Sequence, residues 1–163
     1  MKFLKRNKLL NEVIITGAFI YICILFVEAI RYEGFTEFLP FKFTIFEILK
    51  NYFLAISFLL IIEYFVSYEL PNNYLFARLF GLFVMITFTL VAFNLFSKTW
   101  IFSDKLAINL IYIVSIVYGC IASYYITTIK LKRSLLIGVL NYIIIAAIFV
   151  IFTFNSPGGY IFT

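Results

Sequence analysis

The chain contains no histidine and only two cysteines among its 163 residues. Without histidine, Ser-His and Cys-His nucleophile pairs, the HExxH metalloprotease helix and histidine-ligated haem are excluded. Two cysteines are too few for a four-cysteine zinc or iron–sulfur site. A glycine-rich phosphate loop is also missing, since "SPGG" at 156–159 follows an apolar run and opens no helix. The sequence therefore predicts a protein that is not an enzyme and holds neither a cofactor nor a metal.

Charge is scarce as well. Only 13% of the residues are charged and 64% are hydrophobic, with a mean hydropathy of +1.08. A soluble domain carries about 25% charged residues, so this chain has too little polar surface for water, and a lipid bilayer is its expected solvent. The net charge of +5 lies in short clusters at the ends of apolar runs, which indicates membrane topology and not a nucleic-acid partner.

Five apolar runs approach the length of about 20 residues that a helix needs to cross a bilayer. Turn residues and charges separate them, for example "LPNN" at 70–73 and "KLKRS" at 130–134. Helices satisfy their own backbone groups in lipid, so the sequence predicts an all-α bundle in one transmembrane domain over residues 1–163. The predicted spans are about 11–30, 46–68, 74–96, 106–127 and 135–154.

The distribution of lysine and arginine predicts the orientation. With residues 1–10 as a basic cytoplasmic tail, eight of the 13 cations fall on the inner side of the membrane and five on the outer side. The first run has the basic flank of a signal peptide but is too long and lacks a small-residue cleavage site, so we expect it to be retained. The prediction is a multi-pass protein of the cytoplasmic membrane with its N-terminus inside. The inner cations are Lys2, Lys5, Arg6, Lys8, Arg78, Lys130, Lys132 and Arg133.

The two cysteines lie in antiparallel spans, at depths that differ by roughly 8 Å at the rise of an α-helix. That separation is too large for a disulfide, so Cys23 and Cys120 are expected to be small buried hydrophobic residues.

Ionisable residues at membrane depth are candidate functional groups, because placing one there costs about 2.5–3.5 kcal/mol. Glu63 lies about a turn and a half inside the lipid edge, with no cation within four residues. It could reach back to water, become protonated, or contact Arg78 at the same edge of the next helix. We favour the contact with Arg78 as a structural tie, with proton or ion handling by Glu63 as the alternative.

The outer side of the predicted bundle carries a mixed rim of charges. Glu28 and Arg31, three residues apart, are expected to neutralise each other. In "LPFKFTIFEILKNYF" at 39–53, we expect the second helix to begin at Thr44 or Ile45. Its stripe of Glu47, Asn51 and Ala55 predicts an outer end that faces protein. We expect the rim itself to be solvated; its members are Arg31, Glu33, Glu37, Lys42, Glu47 and Lys50.

Small residues recur at intervals of four in two of the predicted spans. Ser115, Gly119 and Ser123 share one face with Tyr112, and Ala77 precedes Gly81 by four. Such faces let membrane helices approach closely, and packing within the chain is favoured over self-association. Asn94, Asn109 and Asn141 are candidates for interhelical hydrogen bonds, worth about 0.6 kcal/mol each on average.

Three segments resemble a family of small five-span prokaryotic membrane proteins that has no known activity. The segments are Tyr32-Glu33, "PFKFTIFEILK" from Pro40 to Lys50, and "TFNSP" from Thr153 to Pro157. The family pattern is a tyrosine-acid pair, then P-x-N-E-[ST]-x-W-E-H-[LI]-K, then T-F-N-P-P. The matching residues are Pro40, Thr44, Glu47, Lys50, Thr153, Phe154, Asn155 and Pro157.

This chain departs from that family at the residues that could do chemistry. Lys42 replaces the family's asparagine, Phe43 its first glutamate and Ile48 its histidine. The resemblance therefore implies a diverged, non-catalytic member.

Three hypotheses for the function remain open. The favoured one is an accessory or interaction subunit that contacts another membrane protein or further copies of itself within the bilayer. The second is a small oligomeric transporter or channel subunit that uses Glu63 or the rim around Glu47. The third is an intramembrane enzyme that uses Glu47 with Tyr32 or Glu33.

Overall fold

The computed structural model describes residues 2–33, 45–66, 71–96, 105–129 and 134–154. These residues form five α-helices and contain no strand, and each helix is long and apolar enough to cross a membrane. The predicted all-α fold is therefore confirmed. The helices are α1 (Lys2–Glu33), α2 (Ile45–Val66), α3 (Tyr74–Phe96), α4 (Lys105–Thr128) and α5 (Ser134–Phe154).

The observed helices follow the predicted spans except at the start of α1. Within residues 1–10, the expected basic tail, the helix begins at Lys2. This segment contains lysine, leucine and arginine and no proline or glycine, and these three residue types are strong helix formers. The basic residues therefore belong to the first turns of α1.

Successive helices run antiparallel. The starts of α1 and α3 meet the ends of α2 and α4, because Arg78 of α3 contacts Glu12, Glu63 and Ser123. We call this the N-terminal end of the bundle. At the opposite end, here the far end, the start of α2 meets the end of α5 through the rings of Phe46 and Phe149, whose centroids lie 5.7 Å apart.

Helix α3 lies at the centre of the bundle and contacts α2, α4 and α5, while α1 packs against α2 and α4. The side chains buried between these helices are mainly aliphatic and aromatic. Helix α5 is peripheral: 11% of its span is buried inside the bundle, against 56% of the α2 span. The largest fully buried side chains are Tyr52, Tyr112, Ile20, Ile24, Ile56, Leu82 and Met85.

The closest helix pair, α3 and α4, meets at two glycines. A Cβ atom on Gly81 would lie 2.7 Å from the carbonyl oxygen of Gly119, and one on Gly119 would lie 2.8 Å from the carbonyl oxygen of Gly81 and collide with Met85. These backbone oxygens cannot move unless the helices separate. The structure thus places the small-residue stripes of Ala77–Gly81 and Ser115–Gly119–Ser123 against each other inside the bundle.

Aromatic rings attach α5 to α2. Phe53 stacks on Phe149 with centroids 5.0 Å apart and on Tyr142 with centroids 5.6 Å apart. The Tyr142 hydroxyl donates to Ser57 Oγ at 3.0 Å, and the Ser57 hydroxyl donates to the carbonyl of Phe53 at 2.8 Å. The hydrogen bond between Tyr142 and Ser57 thus adds a polar contact to the stacked rings that join α5 to α2.

Replacing Gly119 by alanine tests the close approach of α3 and α4. We expect Gly119→Ala to lower the free energy of unfolding by about 1–3 kcal/mol, the usual cost of overpacking a tight contact. Thermal unfolding of the purified protein in mild detergent measures this loss. The matched control is Gly17→Ala, whose new Cβ would meet Ile116 Cγ2 at an ordinary 3.4 Å. Equal stability of the two variants would contradict the proposed contact.

Candidate functional site

One cation joins four helices at the N-terminal end. The Arg78 guanidinium binds both carboxylate oxygens of Glu63, with Nη2 to Oε1 at 2.7 Å and Nε to Oε2 at 3.2 Å. Its Nη1 donates to Ser123 Oγ at 3.2 Å, and Nη2 lies 3.6 Å from Glu12 Oε1. Only 6% of the Arg78 side chain is exposed. We call these residues, together with Tyr74, the Arg78 cluster.

Tyr74 completes the Arg78 cluster from one helical turn before the arginine. The Arg78 guanidinium carbon lies 5.4 Å from the centroid of the Tyr74 ring, and the Tyr74 hydroxyl donates a hydrogen bond to Glu63 Oε2. A charge at this depth is tolerated only when it is paired and hydrogen-bonded, and the forked geometry of arginine suits a carboxylate. Both oxygens of Glu63 are therefore engaged by protein donors.

A second contact at the N-terminal end ties the turn before α3 to the end of α4. The Asn73 amide nitrogen donates to the carbonyls of Ile126 at 2.6 Å and Ile129 at 2.5 Å. The last carbonyls of a helix have no partners within the helix. The Ile126 carbonyl also accepts from the Ile129 N–H at 3.1 Å, so the Asn73 amide adds a second donor there and supplies a donor to the Ile129 carbonyl. Asn73 is buried, although the sequence indicated only a break between spans.

The far end holds a second polar cluster, which we call the Tyr112 cluster. Its members are Glu28, Asn51, Tyr52, Thr89, Tyr112 and Ser115. The Tyr112 hydroxyl donates to Glu28 Oε1 at 3.1 Å, and the amide nitrogen of Asn51 donates to the same hydroxyl at 3.3 Å and to Glu28 Oε1 at 3.4 Å. These bonds connect α1, α2 and α4. Asn51 Oδ1 is buried and has no hydrogen-bond partner among the described residues.

Three hydroxyls extend the Tyr112 cluster toward the bilayer midplane. Ser115 donates to the carbonyl of its own helix at Ile111, at 2.7 Å, so Tyr52 is the donor in the 2.5 Å bond between Tyr52 and Ser115. Thr89 of α3 then donates to the Tyr52 hydroxyl at 3.2 Å. The rings of Tyr52 and Tyr112 pack edge to face, 5.3 Å apart. Each of these three hydroxyls donates one hydrogen bond inside the bundle.

The pair at the start of α2 differs from the expectation of a solvated rim. Lys50 Nζ lies 2.6 Å from Glu47 Oε1, but the Lys50 side chain is only 10% exposed and its ammonium stands 5.6 Å from the Phe46 ring centroid. Lysine stems pack readily on apolar surface, and the ring and the carboxylate stabilise the charge. Asn51 and Ala55 are buried beside it, so this end of α2 faces protein.

The structure brings together some of the residues singled out in the sequence and separates others. Glu63 and Arg78 form the expected tie, and Glu12 of α1, which the sequence analysis did not single out, contributes to it. Glu28 binds Tyr112 and Asn51, partners that the sequence did not suggest for it. The side chains of Arg31, Tyr32 and Glu33 lie outside the described residues, as do Pro40, Lys42, Thr44, Asn155 and Pro157.

The arrangement of these groups limits the chemistry available to the described residues. Glu63 and Glu28 lie at opposite ends of the bundle, so they cannot act as a paired acid and base. Among residues 2–33, 45–66, 71–96, 105–129 and 134–154, no three histidine, cysteine or acidic side chains could share a metal ion. Cys23 and Cys120 are free thiols.

An apolar groove opens between α2, the start of α3 and α5, in the half of the bundle nearer the N-terminal end. Its volume is about 560 Å³. The hydroxyls of Ser57 and Tyr142 are bonded to each other, and none of the described lining residues is charged. We call it the α2–α5 groove. It is lined by Ser57, Leu60, Ile61, Tyr64, Phe65, Pro71, Asn72, Tyr74, Leu75, Leu135, Val139 and Tyr142.

Comparisons with known proteins find no family model, no curated protein and no solved structure that matches this chain. The resemblance to the five-span family therefore stays a prediction. The functional proposal therefore rests on the fold, the two polar clusters and the apolar surface.

Exchanging the charged pair for apolar residues tests the Arg78 cluster. We expect Arg78→Met to lower the free energy of unfolding by about 3–5 kcal/mol, because it leaves the Glu63 carboxylate without its partner. Glu63→Leu should cost less, because Glu12 stays 3.6 Å from the guanidinium. The double variant should lose less than the sum of the two. Chemical denaturation in detergent measures this double-mutant cycle, and strictly additive losses would show that the pair is not coupled.

Removing single hydroxyls tests the Tyr112 cluster. Tyr112→Phe removes the donor that lies nearest to the Glu28 carboxylate among the described side chains. We expect a loss of about 1.5–3 kcal/mol, the range for hydrogen bonds to charged groups. Tyr52→Phe removes bonds between neutral hydroxyls, and Ser115 keeps its bond to the backbone, so about 0.5–1.5 kcal/mol is expected. The same unfolding assay compares the two variants, and a larger loss for Tyr52→Phe would refute this ranking.

Proposed function

We propose that this protein is a non-enzymatic accessory or interaction subunit of a membrane assembly. In this proposal the bundle binds a transmembrane segment of another membrane protein in the α2–α5 groove. The observation that carries the proposal is the division between interior and surface. The charged side chains described within the spans pair with groups inside the bundle, whereas α5 and the groove present apolar surface outward.

The pairing of the charges supports this division. Between residues 12 and 78 the structure describes six charged side chains, and each has a polar partner within the chain. A catalytic or ion-carrying group must instead be free to meet its substrate. The six are Glu12, Glu28, Glu47, Lys50, Glu63 and Arg78.

The chemistry of the α2–α5 groove favours an apolar helix as its occupant. Ser57 and Tyr142 bond to each other, so an apolar side chain that enters between them and the bilayer leaves neither hydroxyl unpaired. Large apolar side chains such as Phe65 and Leu135, which are 80% and 61% exposed, stand at its borders. In membranes, helix association depends on van der Waals packing of complementary shapes, which a preformed groove provides.

The transporter alternative has weaker support. A cation bound at Glu63 would have to displace a guanidinium that holds both carboxylate oxygens, and a cation at Glu47 would compete with Lys50 at 2.6 Å. The enzyme alternative rests on Glu47 with Tyr32 or Glu33, of which only Glu47 has a described side chain.

Two adjacent leucines allow a matched test of the groove. Leu135 lines the groove and Leu136 does not, yet both side chains are 61% exposed. A photoreactive amino acid at Leu135 should cross-link a membrane protein in intact membranes, while the same probe at Leu136 should not. Val139→Trp, which fills the groove, should abolish the capture, and Glu63→Gln should leave it unchanged.

Several outcomes would count against the proposal. Equal capture from both leucines, or capture of lipid alone at Leu135, would show that the groove faces the bilayer and not a protein. Proton or cation flux in liposomes that disappears in Glu63→Gln would instead favour the transporter alternative.

A further inference from the structure

A second, smaller groove lies on the other side of α5, between that helix and α3. It has a volume of about 270 Å³ and is lined by aromatic and aliphatic side chains around one amide, that of Asn141. The lining residues of α5 here differ from those of the α2–α5 groove. They are Asn141, Ile144 and Ile145, which face Phe76, Leu79, Phe80 and Phe83 of α3.

The amide of Asn141 has no hydrogen-bond partner in the part of the chain that the structure describes. Asn141 is six residues past Leu135, where the α5 span begins, so it lies about 9 Å along the helix at 1.5 Å per residue. The hydrocarbon region of a bilayer holds no water to pair a polar group, so an unpaired amide inside it is unfavourable. The bundle itself therefore leaves a polar group unsatisfied on its lipid-facing side.

The surface around Asn141 has the spacing of a helix–helix seam. Ile137, Asn141, Ile144, Ile148 and Ile151 follow one another at intervals of four, three, four and three. The four isoleucines are between 44% and 54% exposed. An alternation of four and three is the heptad pattern of coiled coils, in which one asparagine among aliphatic residues fixes the register of two parallel helices.

We propose that two copies of this protein associate through this seam, with the two Asn141 amides hydrogen-bonded to each other. Copies inserted in the same orientation are related by a two-fold axis perpendicular to the membrane, so identical residues meet at identical depth. A primary amide carries both donors and an acceptor, so it complements a second copy of itself. This inference goes beyond the proposed function, because its occupant is a second copy and its surface lies across α5 from the α2–α5 groove.

The shape of the second groove suits this arrangement. Phe80 and Phe83 of α3 flank the seam and are 38% and 62% exposed, so the isoleucines of a partner helix can pack against their rings. The seam is thus extended from α5 onto α3. Lipid acyl chains could cover the same apolar surface, but they offer no donor or acceptor to the amide.

Cysteine cross-linking at neighbouring isoleucines tests the geometry. Single cysteines are introduced into a chain that carries Cys23→Ser and Cys120→Ala. Ile144 lies in the seam, whereas Ile143 points away from it. The two native side chains are similarly exposed, at 54% and 57%. Mild oxidation in native membranes should give disulfide-linked dimers of Ile144→Cys and none of Ile143→Cys. Equal cross-linking at both positions, or at neither, would overturn the proposal.

Substitution of the amide tests its role. Asn141→Leu should lower the dimer association constant in detergent about tenfold, in line with the strength of an interhelical amide bond in model membrane helices. The control is Asn109→Leu. Asn109 is the second residue of its span, close to water, so this substitution should leave the dimer association constant unchanged. Sedimentation equilibrium measures both, and wild-type association of Asn141→Leu would refute the amide pair.

The same experiments separate this inference from the proposed function. A monomeric chain that still captures a membrane protein from Leu135 but not from Leu136 would overturn the dimer and leave the interaction role intact. Dimers that depend on Asn141, in a chain that captures nothing from Leu135, would support the seam and refute the role proposed for the α2–α5 groove.

Discussion

The pairing of Arg78 with Glu63 is the contact on which the arrangement of the helices depends. A guanidinium buried inside a bilayer-spanning bundle must find its counter-charge within the protein, because the hydrocarbon of the bilayer supplies none. The partners of Arg78 come from α1, α2 and α4, so a shift of any of these helices along the membrane normal would leave a buried group unpaired. One side chain thereby fixes the relative depth of four helices.

At the far end, the relative depth of the helices is fixed mainly by hydroxyl hydrogen bonds, which are weaker than the ion pair of Arg78. There Tyr112 and Tyr52 join α1 to α4 and α2 to α3 through hydroxyl bonds, and between the two ends the contact of Gly81 with Gly119 brings α3 and α4 together. Polar ties at both ends with close packing between them define a unique bundle. They also use the ionisable groups for structure, which is why the outward apolar surfaces carry the functional proposals.

Sequence reasoning identified features that depend on depth and missed those that depend on lateral position. The lengths of the apolar runs gave the five spans, and the matching depths of Glu63 and Arg78 gave their contact. The partners of Glu28 lie 23 and 84 residues away in the chain, and depth alone does not show which helices are neighbours. The burial of Lys50 was missed for the same reason, since hydropathy does not show that a rim position is covered by protein.

The peripheral position of α5 has a consequence for how the protein is assembled. Both polar clusters and the Gly81–Gly119 contact lie within residues 12–123, so the first four helices contain every charged tie described here before α5 leaves the ribosome. The last helix then attaches to a core that is already in register, by stacking its rings on α2 and fitting Gly138 against the α3 backbone. Substitutions on the outward face of α5 should therefore change the surfaces proposed for association while leaving the polar clusters of the first four helices intact.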